Sequence, residues 1–234
     1  MPNLFNGYPL SPTVMRGALV QLLEEFGIII PNIVPFQYNP AKITRSFTPW
    51  NPFQTSPQNQ AAQTPLVQPF DPEETYGFEL EFDAADDIEM GNPIAMATGI
   101  ASRLAALRKL IEPSEGLIGD LVGAAKALAG NPANQAERPT IPVTLLILGT
   151  AVIVPVRVTS ISTEIIEFTP NLYPLVAKTT LELKVLTPDV FKCKTTTATG
   201  VAIAAYNLNK VQEDALAIAN VVNVGTAAAS MIPV

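Results

Sequence analysis

The sequence has no histidine at all and a single cysteine, Cys193, in 234 residues. Without histidine, the commonest general acid/base, the commonest metal ligand and every histidine-based triad drop out. One cysteine permits neither an intrachain disulfide nor a Cys-x-x-Cys site. Two lysines flank it in Phe-Lys-Cys-Lys and could lower its pKa, but the preferred reading is a small side chain at a strand end. A chain free of disulfides fits cytoplasmic synthesis. Charge is also scarce, at 15% of residues against 48% hydrophobic, where soluble domains carry roughly 25% charged residues. So little polar surface cannot easily cover the molecule, which implies apolar surface buried against other subunits.

The net charge of −7 argues against a general nucleic-acid binder, because phosphate neutralisation needs clustered cations. The densest basic group, Arg103, Arg108 and Lys109, reads as a solvated helix face rather than an anion site. The N-terminal residues Met1, Pro2, Asn3, Leu4 and Phe5 lack a basic region and a continuous apolar core, so no signal peptide is expected. Only 140–158 resembles a membrane span. Pro142, Gly149 and Pro155 interrupt it, and two short strands around a Gly149-Thr150 turn explain it better. No membrane insertion is expected.

What is present is mostly β. Residues 15–26 fit helix or strand by periodicity alone. Runs at 28–30, 33–38 and 43–47 are β-rich and punctuated by prolines, which favours sheet edges. The stretch 49–69 is rich in proline and glutamine and lacks charge. It reads as an extended loop that grips a neighbour, with the lone tryptophan, Trp50, and Phe53 as candidate assembly contacts. In 74–84, Tyr76, Phe78, Leu80 and Phe82 alternate with Glu79 and Glu81, the pattern of a half-buried strand. Pro93 then opens a predicted helix with Ile94, Ala97, Ala101, Leu104, Leu107 and Ile111 on one stripe, stopped by Pro113. A second, alanine-rich helix is expected over 114–129, and four β runs follow at 143–148, 151–160, 163–168 and 178–186. From about Thr199 a last helix carries Val201, Ala204, Leu208, Val211, Ala215, Ile218 and Val222 at heptad spacing. An amphipathic helix on its own core is the plainer account. The other is an inter-subunit or bundle helix, with Val201, Leu208, Val211 and Ile218 as contacts.

No catalytic motif emerges. The carboxylates of 71–89 could suggest acid/base partners or hard-cation ligands. Yet Glu79 and Glu81 share the polar face of an amphipathic strand, and Asp83-Ala-Ala-Asp-Asp-Ile-Glu lacks the spacing of an EF-hand loop. There is no phosphate-binding glycine loop and no Gly-x-Ser-x-Gly elbow. No enzyme activity, cofactor or metal is expected.

Two segments are more specific than composition. One is Ile33-Val34-Pro35-Phe36-Gln37-Tyr38-Asn39-Pro40, followed by a strand bearing Arg45. The other is Leu148-Gly149, then a strand ending in Phe168-Thr169-Pro170, then Pro174-Leu175-Val176-Ala177 leading into the last strand. In order and spacing, over about 17–186, they resemble the tube-like baseplate proteins of contractile injection systems, which often carry a C-terminal LysM module. The departures are Leu148 in place of the family's tryptophan, Val176 where an arginine is common, and a helix instead of LysM after Leu186. LysM-mediated contacts are therefore not carried over.

The resemblance implies an α+β, mainly β chain: a tail-tube-like antiparallel β-sandwich or partial barrel. Residues 1–190 would form it, with loop 49–70 and helical insertion 92–130; the helix read from the heptad spacing, a departure from the family, would make 191–234 a C-terminal helical extension. It also implies a homo-oligomer, a sixfold (hexameric) ring joining the spike hub to the inner tube among other baseplate proteins, assembled in the bacterial cytoplasm. DNA or protein cargo would only pass through its lumen. Phe36 and Tyr38 would fill core space, and Asn39 would bond its own backbone at a turn. Phe36, Tyr38, Asn39, Pro40, Arg45, Gly149, Phe168, Pro170 and Pro174 are the motif residues. The competing expectations are a tail tube, tube-initiator or terminator subunit, and a surface-binding β module.

Overall fold

A computed structural model describes residues 15–25, 28–51, 68, 70–114, 141–192 and 196–231. Seven strands form one antiparallel sheet: β1 Ala18–Glu25, β2 Ile28–Pro35, β3 Ile43–Thr48, β4 Glu73–Asp83, β5 Val143–Leu148, β6 Val152–Phe168 and β7 Pro174–Val185. Their order is β2-β1-β5-β6-β7-β4-β3. Short helices α1 Ala85–Glu89, α2 Pro93–Thr98 and α3 Ala101–Lys109 follow β4, and a long helix, α4 Thr197–Met231, follows β7. The ambiguous 15–26 segment is thus a strand. The proline-bearing β2 lies at an edge, where a missing N–H costs no ladder bond. Cys193, Phe53 and the alanine-rich 114–129 segment, save Ser114, lie outside the described residues.

The sheet is bent round on itself, as chain connectivity favours. The edge strands β2 and β3 are joined by only residues 36–42. Seven strands laid flat would separate those edges by about 29 Å, which the eight Cα steps from Pro35 to Ile43 could span only when fully extended, at about 26–29 Å. In the bent sheet, Phe36 reaches Phe78 of β4 with ring centroids 5.5 Å apart. The inner face carries the main core, including Leu19, Phe36, Phe78, Phe82, Leu146, Val156 and Leu183. Tyr76, Phe78, Leu80 and Phe82 are all buried, as their alternation predicted. The outer face holds a smaller cluster in which Leu22 and Leu145 meet Ala198 and Ala205 of α4. Hence β1 and β5 are buried on both faces.

Three expectations need correction. The helix opened by Pro93 is broken at Gly99, whose φ of +58° ends α2. A Cβ there would lie 2.1 Å from the Pro174 carbonyl oxygen, so the close approach of β7 requires glycine. The break rotates the following turn: Ala95, Ile100, Leu107 and Leu110 are buried, while Ile94 and Ile111 of the expected stripe are exposed. The runs 151–160 and 163–168 are one 17-residue strand. Register shifts between Val158 and Ser160 and near Glu167 absorb its irregular pattern, as β-bulges do. Finally, α4 turns Ala198, Ala202, Ala205 and Asn209 inward, leaving the heptad positions Val201, Leu208, Val211 and Ile218 outside. Small side chains let the helix lie close on the sheet, so its larger apolar residues face away.

Candidate assembly site

The linker between the two edge strands is the Phe-Gln-Tyr-Asn-Pro segment, and it works as a clasp. The Phe36 amide donates to the Gly17 carbonyl at the start of β1 (2.8 Å). Phe36 is fully buried, and its ring lies where a Cβ on Gly17 would come within 2.5 Å. The next residue grips the opposite side. The Gln37 side chain donates to the Asp83 carbonyl (2.8 Å) and accepts from the Asp83 amide (2.9 Å), imitating a strand pairing with one side chain. Arg103 of α3 donates to the same Gln37 oxygen and pairs with Asp87 (2.5 Å). Asn39 completes the clasp by accepting from the Gly17 amide (3.0 Å) and donating to the Met15 carbonyl (2.9 Å).

These contacts revise the expected roles. Phe36 fills the core as expected, but Tyr38 is exposed and its hydroxyl donates to Asp86 (3.1 Å). Asn39 bonds backbone more than twenty residues away rather than its own turn, because β1 runs alongside. Pro40 is half-buried at the end of the clasp. Arg103 leaves the expected solvated basic face, whereas Arg108 stays exposed and pairs with Glu112 (2.7 Å). Asp83 also caps the Ala85 amide (2.7 Å). Asp83, Asp86 and Asp87 therefore all have local partners. Gln37, Gly17 and Gly99 were missed in sequence; a glutamine between two aromatics ahead of Asn-Pro is the only local hint.

Arg45 joins the far edge to α4. It pairs with Glu74 (2.5 Å) and with Glu213 of the helix (2.5 Å), and it lies over the rings of Phe47 (4.6 Å) and Tyr76 (5.5 Å). Beside it, Asp71 accepts from Tyr206 (3.1 Å) and from Lys210 (2.9 Å). The Lys210 bond holds the Asp71 carboxyl below its usual range. Burial, then the bond to Asp71, pushes the Tyr206 hydroxyl up to about 12. These polar contacts fix α4 as far as Glu213.

Trp50 is half-buried beside an open groove of about 970 Å³ that Phe70, Lys184 and Val190 also line. Gly149 makes the β5–β6 turn at φ +63°. At the β6–β7 end, the Thr169 amide donates to the Tyr173 carbonyl (2.8 Å), and Leu172 sits at φ +62°. Phe168 and Pro170 are exposed there, with Ile165, Ile166, Leu172 and Tyr173. The Pro174 carbonyl accepts from the Ile100 amide (2.9 Å), tying the hairpin base to α3. From Arg157 to Phe168, β6 pairs with β7 alone among the described residues.

The acidic strand residues behave as surface charges: Glu81 and Glu73 pair with Lys178 (2.8 Å) and Lys184 (2.7 Å). Among the described residues no cluster of three or more metal-ligating side chains occurs, and no helix is long and apolar enough to cross a membrane. No protein-family model matches the chain, and no curated protein matches it.

Proposed function

We propose that the chain is a structural subunit of the baseplate of a contractile phage tail or phage-like injection particle. Six copies would form a ring between the spike hub and the inner tube, with no catalysis. In this reading the bent antiparallel sheet is a tail-tube-like domain, and the clasp from Phe36 to Pro40 keeps it bent. The observation that carries the proposal is the outer half of β6 with its hairpin. Ile165, Ile166 and Phe168 are exposed, on a strand whose second edge no described strand pairs, with Leu172 exposed in the turn beyond it. An unpaired strand edge of this length, ending in exposed apolar residues, invites pairing with another chain. Repeated head-to-tail, such a contact closes a ring when the rotation permits. The net charge of −7, repeated in each copy, would repel DNA from the lumen.

The test is the mass of the purified protein in solution, alone and with candidate spike-hub and tube proteins. A sixfold ring that forms with the hub supports the proposal. Long tubes formed by the chain alone would assign it to the tail tube instead. A monomer indifferent to both partners would sink the proposal and leave the groove beside Trp50 as the surface to probe.

A further inference from the structure

Helix α4 has two faces, and the molecule uses only one. Ala198, Ala202, Ala205 and Asn209 lie against the sheet. A second stripe, about a third of a turn round the helix, carries Val201, Leu208, Val211 and Ile218, which are 39%, 49%, 64% and 72% exposed. With Ala204 and Ala215, also exposed, they keep alternating three- and four-residue steps, the spacing of a coiled-coil seam. After Glu213 the described side chains, 214–221 and Val224, are all exposed. No charged residue occurs from Ala215 to Val234.

We propose that this seam is an interface between copies of the chain, with the helices of neighbouring subunits packing side by side and pointing the same way. Three observations select a second copy as the occupant. A seam of 3.5-residue period is complementary to another of the same period. Beyond Asp214 it offers no charge by which a different, oppositely charged partner could be chosen. Its size is the third. From Val201 to Ile218 it runs about 26 Å at 1.5 Å per residue, too little to bury the roughly 800 Å² per partner of a stable stand-alone interface. It suits a contact added to others, as between adjacent subunits of a closed ring. Rotational symmetry would also hold the helices parallel where they run along the ring axis. The inference rests on the proposed ring for this setting, but the helix contact can be tested apart from it.

The experiment uses the full chain, with and without a hub protein, in three forms: wild type, Val211→Glu with Ile218→Glu, and Leu216→Glu. Leu216 is 70% exposed but lies off the seam, and none of the three positions is packed in the fold, so the variants should stay folded. Native mass should show the seam variant assembling at least tenfold more weakly and Leu216→Glu within twofold of wild type. In parallel, Val211→Cys and Leu216→Cys, each with Cys193→Ser, are treated with a short bis-maleimide. Position 211 should link copies and position 216 should link far less. Cross-linking through 211 without any ring keeps the helix inference and removes the ring reading. A ring that forms unchanged in the seam variant, with no linkage through 211, removes the inference and leaves the ring reading standing. Equal weakening by Leu216→Glu would overturn the seam in favour of general apolar adhesion. So would wild-type binding to neutral phosphatidylcholine vesicles that both variants lose equally.

Discussion

Replacing Gln37 by leucine tests whether the clasp holds the sheet bent. The change keeps side-chain volume and an apolar stem but deletes two hydrogen bonds to Asp83 and the acceptor for Arg103. Gln37 is buried, while Asp83 is half-exposed, so water can replace only part of what is lost. A buried polar group left without a partner costs about 1–3 kcal/mol. With partial solvent rescue of Asp83, and with Arg103 still paired to Asp87, the expected loss is about 3 kcal/mol. That is a large share of the 5–15 kcal/mol that holds a typical domain together. With a urea slope of about 3 kcal/mol/M, the unfolding midpoint followed by circular dichroism should fall by about 1 M. Gln37→Glu should lose less: a carboxylate still accepts from the Asp83 amide and from Arg103 but cannot donate to the Asp83 carbonyl. Hydrogen exchange gives a local reading, since the Asp83 amide should lose protection in Gln37→Leu before the amides of β5 do. A midpoint within about 0.2 M of wild type, with the Asp83 amide still protected, would refute the clasp.

Two further outcomes follow from local geometry. Gly99→Ala forces a side chain into a positive-φ backbone and against the Pro174 carbonyl, threatening the Ile100–Pro174 hydrogen bond. It should cost about 3–5 kcal/mol, whereas Gly91→Ala, at φ +72° in open space, should cost only about 1–2 kcal/mol; equal urea midpoints would contradict this. Tyr206 has a raised pKa, so its contribution is fully present below its ordinary value near 10 and is lost as pH rises through about 12. Its partial exposure and solvent screening limit that loss to about 1 kcal/mol. Thermal melts from pH 9 to 12 should show a steeper decline in wild type than in Tyr206→Phe, whose remaining decline comes in part from Tyr38 and Tyr76, also raised; parallel curves would contradict the role given to Asp71.

The parts of the fold that were legible in sequence are those governed by local pattern. The alternation through Tyr76, Phe78, Leu80 and Phe82 gave β4 its inward face, and Pro31 and Pro35 marked an edge strand. Where distant segments decide the outcome, local pattern misleads. The stripe from Ile94 to Ile111 has good helical spacing, yet β7 approaches at Pro174 and breaks the helix at Gly99. The 15–26 run suits either period, and only its pairing with β2 and β5 makes it a strand. Asn39 reads as a turn residue until the segment leading into β1 supplies Gly17 and Met15 as its partners. Gln37 carries no periodic signal, because its meaning lies in Asp83, which only the bent sheet brings near.

The heptad of α4 shows why a correct pattern can still leave its partner undecided. An amphipathic helix usually turns its bulky apolar stripe to its own core, and the spacing alone cannot say otherwise. What decides is competition between two stripes on one helix. Ala198, Ala202 and Ala205 let the helix backbone come close to β1, β5 and β6, where Leu22 and Leu145 already supply the bulk. A second bulky layer from Val201, Leu208 and Val211 would hold the helix off the sheet, and it would pull Glu213 from Arg45 and Tyr206 from Asp71. The alanine stripe wins because it satisfies packing and the polar anchors together, and the valine and isoleucine stripe is left facing outward. A chain with only 15% charged residues has little polar surface with which to shield that stripe. The same scarcity of charge that pointed to subunit contacts in the sequence thus reappears as a defined surface: the outer face of α4 and the apolar end of the β6–β7 hairpin.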